Sequence, residues 1–97
     1  MSSEPQHSWT FLTNHTQVLL CVAQNPDIRL REVAETVGIT ERAAQRLLAD
    51  LVETGYVERS RVGRRNRYTI DRERTMRHAA QFGQEVGPLL DLFQHGD

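Results

Sequence analysis

The 97-residue sequence contains no lysine and a single cysteine. The missing lysine leaves the whole positive charge to twelve arginines, a choice that a GC-rich coding bias accounts for. The single cysteine, Cys21, excludes an internal disulfide framework. No window approaches the ~18 uncharged apolar residues of a membrane span, and the apolar stretch 14–23 is far too short, so no membrane partner is expected. The N-terminus has neither the basic n-region nor the apolar h-region of a secretion signal, and an intracellular location is expected. Four scattered histidines, His7, His15, His78 and His95, have no tight helical spacing, so no zinc site and no other cofactor is expected. A nucleophile elbow, a P-loop and a paired His/carboxylate motif are all missing, and an enzyme is not expected. No internal repeat or low-complexity tract is found.

What is present is an uneven distribution of charge. At 38% apolar and 26% charged, the chain has the composition of one soluble globular domain. A domain of this size has a thin core, which makes dimerisation plausible before any motif is considered. The net charge of −1 argues against a nucleic-acid partner. Its layout reverses that reading. All twelve arginines fall between Arg29 and Arg77, against eight acids there, a local net of +4. Glu4 and Asp27 before this region, and Glu85, Asp91 and Asp97 after it, make acidic flanks. Local charge, not the total, governs steering toward phosphate.

Residues 1–8 have the composition of a flexible tail. Trp9, Phe11 and Leu12 form a small apolar knot, and Thr13 is a good N-cap for a first helix over about 14–24. Val18, Leu19 and Val22 share one face of it, and Asn25-Pro26-Asp27 stops it. Ile28-Arg29-Leu30 alternates as a very short strand would. Leu30, Val33, Ala34 and Val37 follow helical spacing, predicting a second helix over about 31–37 that Gly38 ends. Thr40 then caps a third helix over about 41–54, ended by Gly55. The three-residue connection Gly38-Ile39-Thr40 is that of a helix-turn-helix. Beyond Gly55 the period changes from 3.6 to 2. Tyr56–Val62 and Arg67–Asp71 read as strands around a Gly63-Arg64-Arg65-Asn66 turn. A last helix is expected over about 76–94, with Phe82, Val86, Leu89, Leu90 and Phe93 on one stripe and a break at Gly87-Pro88. The expected fold is mainly α with a small β-hairpin, a winged helix-turn-helix over 9–75, followed by a dimerisation helix over 76–97.

The third helix has the pattern of a DNA reader. Ala44, Leu47, Leu48 and Leu51 form its apolar stripe, while Arg42, Gln45, Arg46 and Ala49 project from the other side. Arginine pairs with guanine O6 and N7, and glutamine with adenine N6 and N7. Glu53, with Asp50 at the margin, would repel phosphate, so only the first two turns should enter a groove. Any amphipathic surface helix has a polar face, and the hairpin decides between the two readings. Arg59, Arg61, Arg64, Arg65 and Arg67 face a single acid, Glu58, between residues 57 and 67. A hairpin needing only solubility or edge protection would mix signs. The tip pair, Arg64 and Arg65, can reach phosphate or a minor groove. Neutralising ~4 phosphates per protomer would give a dimer a log–log salt slope near about −7.

The segment LREVAETVGITERAAQRLLADLVETGYVERSRVGRRNRYTI, Leu30 to Ile70, resembles winged helix-turn-helix regulators of the MarR/ArsR type. The resemblance rests on Ala34, Gly38-Ile39, Ala44, Leu47 and the Leu51…Gly55-Tyr56-Val57 exit. The Trp9–His15 lead-in is similar to that of small actinobacterial members. The resemblance implies a homodimer built from N- and C-terminal helices, here through Trp9, Phe11, Phe82, Val86, Leu89, Leu90 and Phe93. It implies double-stranded DNA as partner, with Arg42, Gln45 and Arg46 at bases and Thr40 fixing phosphate. Repression and a cytoplasmic, nucleoid-associated location follow from the same resemblance. The second helix of the reading unit has no Cys-x-Cys pair of the kind that metal sensors of this type carry. Two other readings stay open. One is a winged-helix protein-interaction module without DNA binding. The other is a regulator that senses a hydrophobic small molecule between the dimer helices, with Trp9, Phe11, Phe82 and Phe93 lining the pocket. Cys21, within an apolar stretch, reads as an inert core thiol more readily than as a redox switch.

Overall fold

The computed structural model describes residues 9–94. The expected tail 1–8 and the end of the expected last helix, 95–97, lie outside the described residues. Helix α1 spans Asn14–Gln24, with the Thr13 hydroxyl oxygen accepting from the Thr16 N–H at 3.2 Å. Helix α2 spans Leu30–Val37. The short strand expected at 28–30 does not form. Arg29 is instead the N-cap, and its N–H donates to the Glu32 carboxylate at 3.2 Å, which draws Leu30 into the helix. Gly38, at φ 85°, makes the left-handed turn out of α2 that an L side chain would resist. Thr40 then caps α3, Glu41–Glu53, by accepting from the Ala43 N–H at 3.0 Å.

The exit from α3 is a Schellman motif. Gly55 at φ 90° donates to Val52 O at 3.1 Å, and Tyr56 donates to Leu51 O at 2.9 Å. The Thr54 hydroxyl donates to Asp50 O at 2.7 Å and closes the last turn. The chain enters β1, Val57–Val62, paired antiparallel with β2, Arg65–Ile70. The hairpin turn is therefore the two residues Gly63-Arg64, not four. Gly63 has φ 64° and Arg64 does not share a positive φ, the pattern of a type II′ turn with glycine first. Arg65 and Asn66 belong to the strand, opposite Val62 and Arg61.

One apolar cluster joins all these elements. Val18, Leu19 and Val22 of α1, Val33 and Ala34 of α2, and Ala44, Leu47, Leu48 and Leu51 of α3 are buried together. Tyr56, Val57 and Tyr68 extend the cluster under the hairpin. Fully burying a side chain such as Val18 or Val22 contributes about 1.5–3 kcal/mol before entropy is counted.

The C-terminal region departs from the sequence expectation. No helix runs over 76–94. A single 3-10 turn covers Ala79–Gln81, and α4 covers only Val86–Asp91. Between them Phe82 and Gly83 both have positive φ, which no continuous helix tolerates. The segment is instead a closed loop. Thr75 and Glu85 form an isolated antiparallel bridge, and the Met76 N–H donates to Gln84 O at 2.8 Å. Gly87-Pro88 does not break a helix but lies in the first turn of α4, where proline has no intrahelical N–H to lose. Gly87 is needed for contact as well: its N–H donates to Arg72 O at 2.9 Å, and a Cβ there would lie 3.0 Å from that oxygen.

The expected stripe is accordingly dispersed. Val86 and Leu90 are consumed by the chain's own core, Leu89 is half-buried, and Phe93 lies at the surface. Phe82 is 87% exposed on the loop. Trp9 and Phe11 are also exposed and meet edge to face, with ring centroids 5.1 Å apart.

Candidate nucleic-acid interface

The polar face of α3 is as the sequence indicates. Ala44, Leu47, Leu48 and Leu51 are buried, while Arg42, Gln45, Arg46 and Ala49 are exposed. Among the described residues, neither Arg42 nor Arg46 has a carboxylate within ion-pair distance. Three long donors are thus presented within little more than one turn near the N-terminus of one helix, which is what base-edge recognition in a major groove requires. Thr40 is exposed at the N-terminus of this helix. Its oxygen is already used in the cap, which leaves the hydroxyl proton free to donate to an anion. Asp50 is not a loose acid at the far end of α3: it pairs with His15 of α1, Nε2 to Oδ2 at 2.8 Å.

The wing arginines divide into two groups. Residues directly opposite each other in an antiparallel pair point to the same face. Arg59 faces Tyr68 across the ladder and Arg61 faces Asn66, so these two share one face with Val57 and Ile70. Arg65 and Arg67 lie on the other face, with Glu58, Ser60 and Thr69. Arg64 is in the turn between them. Arg59, Arg61 and Arg64 are exposed and, among the described residues, are not in an ion pair. Arg65 and Arg67 are both engaged by the turn between α1 and α2. Arg65 Nη2 donates to the Asp27 carbonyl at 2.6 Å, and Arg67 Nε lies 3.6 Å from Asp27 Oδ1. The latter pair is about half-exposed, so it contributes at most about 0.2–1 kcal/mol.

Sequence reasoning did not find the Asp27 and His15 contacts. They join residues 35 to 40 positions apart, and no local pattern announces them. The same is true of Arg72, whose Nη2 meets Asp91 Oδ1 at 2.7 Å and Gly87 O at 3.2 Å. Away from the arginine face, a groove of about 810 Å³ runs between α1, the end of α3 and the C-terminal loop. Phe11, Leu12, Leu19, Met76, Val86 and Leu89 line it, and His15, Asp50, Arg77 and His78 add polar groups. Cys21 is buried on α1, and burial raises its thiol pKa above the usual 9.0. It is therefore a neutral thiol at physiological pH. Among the described residues no cluster of side chains suited to a metal ion occurs, and no helix is long and apolar enough to cross a membrane.

Three helices, a glycine-turned reading unit and a basic two-stranded ribbon define a winged helix-turn-helix. A family model described as MarR family matches residues 10–66, more than half of the chain, and the chain belongs to the MarR family. The matched region takes in α1, α2, α3 and β1 and ends inside β2. Its class is that of DNA-binding transcription regulators. No curated protein and no solved structure matches the chain.

Proposed function

We propose that this chain is a sequence-specific, double-stranded DNA-binding regulator that acts as a homodimer and represses by occupying its operator. The observation that carries this reading is the α3 face, on which Arg42, Gln45 and Arg46 are exposed and neither arginine is in an ion pair among the described residues. Two such helices, one per protomer, would enter successive major grooves about 34–36 Å apart. Arg42, Gln45 and Arg46 contact base edges, and Thr40 with the helix N-terminus contacts phosphate. Arg59, Arg61 and Arg64 supply wing contacts directly. Arg65 and Arg67 take part only after release from Asp27. A protein of this function works at the chromosome, in the cytoplasm.

Self-association is supported by the exposure of Trp9, Phe11, Phe82 and Phe93, with Leu89 at the groove edge. Leu92, 75% exposed, joins that set, while Val86 and Leu90 belong to the protomer core. The apolar groove beside Phe11 favours a further reading, in which a hydrophobic small molecule binds there and biases α1 against α3.

The test is Arg46→Ala, measured on selected and random duplexes. Loss of about 1–3 kcal/mol on the selected site, with nonspecific binding nearly intact, is expected. Equal losses on both duplexes would remove Arg46 as a reader. No binding of wild-type protein to any duplex would leave the protein-interaction module as the function.

A further inference from the structure

The turn between α1 and α2 holds the wing at three points. The Tyr68 N–H donates to Pro26 O at 3.0 Å, Arg65 donates to the Asp27 carbonyl, and Arg67 is ion-paired with the Asp27 carboxylate. The first two use backbone oxygens, and only the third uses a side chain from the turn. The turn itself is held independently of the wing. Asn25 Oδ1 accepts from the Asp27 N–H at 3.2 Å, and Asn25 O accepts from the Ile28 N–H at 3.0 Å. These bonds fix the backbone from which the Asp27 carboxylate reaches Arg67, so the acid stays beside the wing whether or not the pair is made. Glu58, the acid on the same ribbon face, is not within ion-pair distance of Arg65 or Arg67.

We infer that Asp27 is an internal competitor of DNA phosphate for Arg67, and so tunes the affinity of the wing for duplexes of any sequence. This inference rests on the DNA-binding reading above. The geometry suits competition, not permanent locking. A 3.6 Å contact between half-exposed groups is weak, and a phosphate brought close by α3 can displace the carboxylate. Displacement has two costs for binding: the lost ion pair, and an acid left beside the phosphate. Arg65 differs in kind, because a neutral carbonyl holds it and no substitution of the Asp27 side chain removes that acceptor.

The experiment is a double-mutant cycle on duplex binding with Asp27→Asn, Arg67→Ala and the combination. Asparagine keeps the size and turn preference of aspartate, and Asp27→Ser serves as a second variant with the same prediction. Thermal melts establish that each variant is folded. Asp27→Asn is expected to tighten binding about two- to fivefold at low salt, on selected and random duplexes alike, as the loss of a weak exposed pair allows. In the Arg67→Ala background the same substitution is expected to gain clearly less, because only the repulsion between the acid and phosphate is left to relieve. A gain of equal size in both backgrounds would mean that Asp27 acts only through net charge, and would overturn the inference. So would weakened binding by folded Asp27→Asn and Asp27→Ser, which would make Asp27 a support of the wing instead of a rival to DNA. If Asp27→Asn is neutral while Arg46→Ala still loses discrimination, the competitor role fails and the regulator reading stands. If wild-type protein binds no duplex, both fall.

Discussion

Leu90→Ala and Phe82→Ala, taken as a pair, separate what the C-terminal region does within the fold of one chain from the role proposed for it between copies. Leu90 is 2% exposed in the core, on a helix of only six residues. Truncating such a leucine costs about 2–5 kcal/mol, from lost transfer energy and the cavity left behind. Native domains have only about 5–15 kcal/mol in total, so this is a large fraction. In a domain near this size each kcal/mol moves Tm by about 4–8 °C, so a 3 kcal/mol loss lowers it by roughly 12–24 °C. Phe82, by contrast, has its ring in solvent and no core contact to lose. Its truncation should change protomer stability by no more than about 0.5 kcal/mol. Melts followed by circular dichroism over a hundredfold range of concentration, with sedimentation alongside, read both effects. The Leu90→Ala decrement should be the same at every concentration, because its contacts are intramolecular. Phe82→Ala should shift the monomer–dimer balance and flatten the dependence of Tm on concentration. A Leu90→Ala protein that melts like wild type would refute the placement of α4 in the core. A Phe82→Ala protein that sediments like wild type would refute the role of Phe82 between copies.

Thr40→Ala should lower stability by about 1 kcal/mol in urea titrations, because the Ala43 N–H loses its cap. Gly55→Ala should destabilise by more than about 1 kcal/mol in the same assay. Its φ is +90°, and the new Cβ would lie 2.9 Å from the Arg74 guanidinium carbon, so Gly55→Ala with Arg74→Ala should recover part of the loss. Arg64→Ala should flatten the log–log salt slope of DNA binding by up to about one unit per protomer, and Arg64 is the simpler test because Arg65 is held by Asp27. Cys21 should react with a maleimide only as fast as the protein opens. Its raised pKa favours the thiol in the folded state, so its contribution to stability is full below pH 9.0 and declines as pH rises beyond it.

The reading unit was legible in the sequence because each signal is local. Thr13, Thr40, Gly38 and Gly55 each act within a few residues of themselves, and the apolar spacing of α3 names its buried side directly. The C-terminal region was not legible for the opposite reason. Phe82, Val86, Leu89, Leu90 and Phe93 satisfy a helical period, yet a period does not register a reversal at Phe82-Gly83. That reversal is closed by the Thr75–Glu85 bridge and by the Tyr56 hydroxyl donating to the Thr75 carbonyl, contacts that a helical period does not register. The wing was legible as a basic hairpin. Its division into two faces was not, because it depends on where the turn begins. A four-residue turn and a two-residue turn assign Arg65 differently, and only the observed register places it opposite Val62.

The Schellman exit from α3 makes the helix and the ribbon a single lever with a fixed elbow. A strand alternates its side chains residue by residue, so one amino acid inserted at this elbow would turn the ribbon over. Glu58 and Ser60 would then occupy the side that Arg59 and Arg61 hold now. The spacing from Leu51 to Val57 therefore sets the polarity of the wing as firmly as the arginines themselves do.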